Sequence, residues 1–309
     1  MARAKIAAMD SPATPGAAIV ASTVAANGVT MRLRRAGAGE PLNLLHGWPE
    51  WSYVWEPVMA RLAGRHALVA PDFRGFGDSE KTSSGPAKDA GPDALASDIL
   101  ALADTLGLAR FGLVSHDVGS FVAQAIARRA PERLSGLFFF NCAHPGIGRR
   151  VLEPRHLPEV WYQFFHQQTF AAALVGSSRE ACGLYLRHFL GHWSHGSPTF
   201  DDAALEAWVD NFMKPGNLQG GFNWYASVHD ARMAMVEGTA KPPPPIAVPT
   251  RVLWGALDPV LKVEWIDRLP EFFTDLEAGV EPDAGHFVHW ERPDRAAAAI
   301  AAFFGRLRR

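Results

Sequence analysis

Cysteine is almost missing from this chain: only Cys142 and Cys182 occur in 309 residues. Two thiols cannot build the disulfide framework of a small secreted scaffold, and a reduced, cytoplasmic chain is the simpler expectation. A charge excess is missing too, since 30 Lys and Arg stand against 32 Asp and Glu, for a formal net charge of −2. Such a balance gives no basic footprint for nucleic acid and no acidic tail. Long apolar runs are also absent. Nothing approaches the roughly 18 residues of a membrane helix, and Leu137–Phe140 is only of strand length. Near the start, Arg3 and Lys5 precede Asp10, Pro12 and Pro15, which interrupt any signal-peptide core. What remains is a chain that is 48% hydrophobic, long enough to bury a large core without disulfide or metal support. Its length suits two average domains or one large α/β unit.

Residues 1–17 are rich in Ala, Ser and Pro without a period, and read as a loose leader. Two strand-like runs, Ala18–Ala25 and Val29–Arg35, flank the turn pair Asn27-Gly28. Short apolar runs then alternate with helical stretches. Leu42–Leu45, Ala67–Ala70, Phe111–Val114, Leu137–Phe140 and Val252–Trp254 read as buried strands, and Asp93–Leu106, Ser120–Ala130 and Ala296–Leu307 as helices. This alternation predicts a mostly parallel sheet covered on both faces. From about Pro145 to Gly238 the rhythm stops: the segment is rich in aromatics and His at helical spacing, and ends in Lys241-Pro242-Pro243-Pro244-Pro245, a stiff extended connector. The expected division is a leader at 1–17, core at 18–144, a helical insert at 145–240 and core again at 241–309. Thr82–Gly91 reads as a mobile surface loop.

The chemistry-bearing motifs sit at the predicted strand ends. Phe111–Ser120, with Asp117 at its centre, has the form strand, sharp turn, helix, which raises one side chain over the sheet beside a helix N-terminus. The plain alternative is that Asp117 is an N-cap. His46-Gly47-Trp48-Pro49 follows another strand and can aim the Trp48 amide into the same crevice. With the Val118 amide it would form a two-donor oxyanion hole. Asp258 lies just past Val252–Trp254, and His286 follows in Asp283-Ala284-Gly285-His286-Phe287. The chain order is nucleophile, acid, histidine, with His289 as a competing base. Asp72–Ser79 is glycine-rich but has no Lys-Ser/Thr pair, so it reads as a structural turn. His188, His192 and His195 share a helical segment without a Glu at the metalloprotease position, and read as surface or pocket lining rather than a metal site.

Taken together, these motifs resemble the α/β-hydrolase superfamily and, within it, the epoxide hydrolase and haloalkane dehalogenase branch, from residue 25 to the end. The resemblance implies an α/β-hydrolase fold with an eight-stranded, mostly parallel sheet, a helical cap at 145–240 and a cis Trp48–Pro49 peptide. It also implies a catalytic set of Asp117, His286 and Asp258. Dehalogenases of the branch carry Trp or Arg after the nucleophile, whereas Val118 can hold neither a halide nor a carboxylate. Epoxide hydrolases take their acid from cap tyrosines, and Trp161-Tyr162-Gln163 and Asn223-Trp224-Tyr225 resemble those two motifs. Tyr162 and Tyr225 become the expected acids, with Trp48, Tyr162, Trp224 and Tyr225 against the substrate. Asp in place of Ser suits this chemistry, because attack on an sp³ carbon then gives an ester, which water can cleave at its carbonyl. The expectation is an epoxide hydrolase acting on a small apolar epoxide and water, with no cofactor, metal, nucleic acid or membrane partner. A haloalkane or haloacid dehalogenase is the alternative, and a homodimer is left open.

Overall fold

The computed structural model describes residues 18–308, except for 84, 86, 197 and 198. The expected leader, 1–17, lies outside the described residues. Eight strands form one sheet: β1 (Val20–Ala26), β2 (Val29–Ala36), β3 (Glu40–Leu45), β4 (His66–Pro71), β5 (Phe111–His116), β6 (Leu134–Phe140), β7 (Thr250–Gly255) and β8 (Leu276–Glu281). Their spatial order is β1-β2-β4-β3-β5-β6-β7-β8. β1 and β2 pair antiparallel, as do β2 and β4, and every other pairing is parallel. The Asn27-Gly28 pair turns the first hairpin with positive φ at both residues, as a two-residue hairpin loop requires.

β4 and β5 are buried at every residue, which explains their continuous apolar runs, since helices cover both faces of a parallel sheet. The covering helices are α1 (Glu56–Leu62), α2 (Pro92–Thr105) and α3 (Val118–Arg129) before the insert. The insert carries α4 (Leu157–Val160), α5 (Tyr162–Phe165), α6 (Ala171–Val175), α7 (Arg179–Trp193), α8 (Asp202–Phe212) and α9 (Asn217–Glu237). After it come α10 (Val288–Glu291) and α11 (Pro293–Leu307). Among the described residues, no strand falls between β6 and β7, in line with the interrupted rhythm of the sequence.

Three local features differ from the sequence expectation. β8 was not expected: Leu276–Glu281 is an edge strand, largely exposed and carrying Gly279, so it lacks the apolar run that marks its neighbours. α1 is a helix of 7 residues that the sequence expectation does not include. The described part of Thr82–Gly91 is tied down rather than free. Ala87 N donates to Asn223 Oδ1 at 3.1 Å, Ala90 N to Ser227 Oγ at 3.1 Å, and Lys88 pairs with Asp230 at 2.7 Å. All three partners lie on α9, far along the chain, where no local composition could point to them. The Asp72 turn is structural, as expected: its carboxylate accepts from Ser52 N at 2.8 Å and Asp78 N at 2.7 Å.

Candidate active site

β5 ends at His116 and α3 begins at Val118, so the chain must reverse direction within Asp117. It does so at φ 46° and ψ −112°, a conformation that L residues rarely adopt. Glycine at 119 makes the turn possible, because a Cβ there would lie 2.4 Å from the Leu45 carbonyl oxygen. The Asp117 side chain makes no capping bond to α3, which sets the N-cap alternative aside. Instead its Oδ1 accepts the Trp48 amide at 3.0 Å. Val118 opens α3, where the first amides have no acceptor within the helix. The Trp48–Pro49 peptide is cis.

His286 is fully buried, and its Nδ1 lies 2.8 Å from Asp258 Oδ2. Its Nε2 is buried without a protein partner. Asp258 is fixed on its other side, where Oδ1 accepts from Val260 N at 2.7 Å and Leu261 N at 2.9 Å. Burial opposes a charge on His286, but the charge and hydrogen bond of Asp258, with Asp117 and Glu50 beyond, raise its pKa to about 9. His289 has no such partner among the triad: its Nε2 meets Glu50 Oε1 at 3.0 Å.

Several supporting residues carried no signal in the sequence. Asn141, at φ 46°, donates to Asp258 Oδ2 and accepts from Gly255 N at 2.8 Å, so it ties the acid to its own strand. Glu291 accepts from Gly285 N, Phe287 N and His195 N at 2.8–2.9 Å and so clamps the loop around His286. Glu50, buried behind the nucleophile, accepts from Gly47 N at 2.6 Å and meets His116 Nδ1 and His289 Nε2, each at 3.0 Å. Burial opposes ionisation of Glu50, yet the two rings outweigh it and hold the carboxyl well below the usual carboxylate range. Burial lowers His289 to about 4, so that ring is neutral near pH 7 and serves as a donor. The metal-ligand-like grouping of Glu50, His116 and His289 within 4.8 Å is therefore accounted for by hydrogen bonds.

Tyr162 and Tyr225 both reach the crevice above Asp117 and are buried. Their ring centroids are 5.5 Å apart at 83°. Trp48 stacks on Tyr162 at 5.2 Å and meets Tyr225 edge-on at 5.8 Å, contacts worth about 0.5–1.5 kcal/mol each beyond area burial. Burial and the nearby Asp117 charge push both phenols above their ordinary value, so both keep their protons at neutral pH. A narrow cavity of about 50 Å³ joins Asp117 to Tyr162, Tyr225 and Trp224. Its other walls are mainly apolar, including Phe121, Ile147 and Trp265. Of His188, His192 and His195, the last joins the Glu291 clamp through its backbone, while His188 stacks on His192 at 5.6 Å and His192 Nε2 meets Glu159 at 2.7 Å.

The chain therefore gathers Asp117, Asp258, His286, Tyr162 and Tyr225 from separate parts of the sequence into one crevice. Residues 40–293 match the family model described as the alpha/beta hydrolase fold. A soluble epoxide hydrolase from Corynebacterium sp. is 31% identical over 291 residues, covering 91% of this chain and 96% of that protein. Haloalkane dehalogenase 2 from Mycobacterium tuberculosis is 27% identical, covering 87% of this chain and 89% of that protein. The solved structure of the epoxide hydrolase CorEH without ligand superposes with a TM-score of 0.81 at 28% identity, covering 94% of this chain and 100% of that one. No described helix is long and apolar enough to cross a membrane. The chain belongs to the α/β-hydrolase family, in the branch that holds epoxide hydrolases and haloalkane dehalogenases.

Proposed function

We propose that this protein is an epoxide hydrolase that opens its substrate to a vicinal diol through an ester on Asp117. The observation that carries the reading is the pair of protonated phenols, Tyr162 and Tyr225, held beside the nucleophile in one cavity. Similarity to epoxide hydrolases over most of the chain supports it. Asp117 Oδ1 is engaged by the Trp48 amide, which leaves Oδ2 to attack an epoxide carbon. The carbon–oxygen bond of the ring breaks as the new ester bond forms, and a tyrosine hydroxyl gives its proton to the departing oxygen. Water then attacks the ester carbonyl of Asp117 and passes a proton to His286 Nε2, while Asp258 stabilises the imidazolium. The oxyanion on Oδ1 is held by the amides of Trp48 and Val118. Collapse expels the diol as an alkoxide that takes the proton from His286, and the proton left on the Asp117 carboxyl passes to the tyrosinate formed in the first step, which restores both the carboxylate and the phenol.

In the same reading, 145–240 is a cap that supplies the tyrosines, between core segments 18–144 and 241–309. Two buried free thiols, Cys142 and Cys182, support a cytoplasmic, reducing setting. Single turnover with excess enzyme in ¹⁸O-water tests the covalent route. The first diol carries unlabelled oxygen from Asp117, and label in that diol means direct attack by water. Dehalogenation is the second reading, favoured by the buried, unpartnered Trp48 Nε1 as a halide donor and by the dehalogenase relatives. Chloride release from haloalkanes, measured beside epoxide turnover, decides between them.

A further inference from the structure

Among the mainly apolar walls of the cavity stands one guanidinium. Arg232, on α9, lines the same cavity as Asp117, Tyr162 and Tyr225. Among the described residues no carboxylate pairs with it; its one protein hydrogen bond runs from Nη1 to Gln163 Oε1. A guanidinium has five donors, so most of its capacity is unused. By contrast Arg74 is paired with Asp98 and Arg34 with Glu56. The nucleophile Asp117 lines the cavity with it. Arg232 is part-buried, and a partly desolvated guanidinium without an anionic protein partner can be matched by a ligand that enters the cavity.

We propose that Arg232 is the anion-recognising end of the substrate site, and that the epoxide bears a carboxylate a few carbons from the ring. This rests on the epoxide hydrolase reading. The distance follows from the hydrogen bonds around Gln163: its Oε1 accepts from Arg232, and its Nε2 donates to the Tyr162 hydroxyl at 3.2 Å. A single amide group therefore separates the guanidinium from the hydroxyl that would meet the epoxide oxygen. The same donation from Gln163 occupies a lone pair of Tyr162, leaving its O–H free to turn toward the ring oxygen. Arg232 follows Tyr225 by seven residues, two turns along one helix face, so one face of α9 carries both the acid and the anion site. Planar guanidinium and planar carboxylate match in a two-bond fork. The apolar walls would take the rest of the substrate.

The test compares 4,5-epoxypentanoate and 5,6-epoxyhexanoate with their methyl esters on the wild type, Arg232→Met and Arg232→Lys. A hydrogen bond to a charged group supports a preference of at least about tenfold in kcat/KM for acid over ester in the wild type. Arg232→Met brings the ratio to about one, and Arg232→Lys keeps part of it. Because the wild-type ratio alone is informative, misfolding of a variant leaves the test intact. Calorimetric titration with hydrocinnamate, which has no epoxide, reads the site without chemistry; binding should weaken at least about tenfold in Arg232→Met. If epoxides turn over with equal efficiency as acid and ester, and hydrocinnamate binding ignores Arg232, the carboxylate site is overturned and the epoxide reading stands. If no epoxide turns over while hydrocinnamate binding depends on Arg232, the anion site stands and the epoxide reading falls. Equal loss for acid and ester in Arg232→Met would make Arg232 only a support for Gln163 and Tyr162, and overturns the proposal.

Discussion

His286 presents Nδ1 to Asp258 Oδ2 at 2.8 Å and leaves Nε2 buried with no protein partner. A buried imidazole with one nitrogen fixed and the other unengaged is arranged to accept a proton from a water held against Asp117. The raised pKa of about 9 draws partly on the charge of Asp117. In the proposed mechanism that charge would disappear as Asp117 becomes an ester, so the intermediate would lower the pKa of the base at the step that needs it neutral.

Removing the base separates the two steps. His286→Gln is expected to open the ring and stall, so intact-mass measurement finds enzyme plus one substrate. Asp258→Asn should slow ester hydrolysis at least about a hundredfold, within the range usual for acid–base assistance. His289→Ala should not accumulate ester, because His289 faces Glu50 rather than Asp258. An ester trapped by His289→Ala but not by His286→Gln would reverse the assignment. Asp117→Ala should abolish covalent labelling altogether.

Loss of one phenol oxygen tests the acid. Tyr225→Phe and Tyr162→Phe should each slow ring opening at least about tenfold, and the double variant should form almost no ester with an epoxide. Stopped-flow or quenched-flow measurement of the first step gives the numbers. A halide leaves as a stable anion, so dehalogenation by the double variant should fall much less.

Glu50→Gln exchanges the buried anion for an amide that cannot accept from Gly47 N, His116 and His289 at once. Leaving a buried donor unsatisfied costs on the order of 1–3 kcal/mol, so the urea midpoint should fall. Gly47 precedes Trp48, whose amide holds Asp117, so the ester-hydrolysis rate should fall with it. An unchanged midpoint would show that the carboxylate contributes no net stability.

Stability should decline on acidification before most carboxylates titrate. Burial lowers His144 and His289 from 6.5 to about 4, so between these values the unfolded chain binds protons that the folded one does not. Their contribution is present above about pH 6.5 and lost as pH falls toward 4. His286 has the opposite sign: raised to about 9, it contributes below 6.5 and loses that contribution as pH rises through 9. Urea unfolding at intervals from pH 4 to 9 should show the acid limb, and His289→Gln should flatten part of it.

The sequence by itself carried seven of the eight strands, the elbow and the chain order of Asp117, Asp258 and His286, whereas Tyr162 and Tyr225 came from the resemblance to the epoxide hydrolase branch. The first three are local patterns: an apolar run marks a buried strand, and small residues around Asp117 mark a turn that only small residues permit. It also marked Asp72 as a structural turn. β8 stayed hidden because an exposed edge strand needs no apolar run. Glu50, Asn141, Glu291 and Arg232 stayed hidden for a different reason. Each acts through partners distant in the chain: Glu50 on His289, Asn141 on Asp258, Glu291 on His195, Arg232 on Gln163. A charged or amide residue in a sequence reads as solvated surface unless something shows that it is buried and what it faces. Only the closing of α9 and the other insert helices over the strand ends brought Arg232 into the cavity with Asp117, where it has one protein hydrogen-bond partner, Gln163.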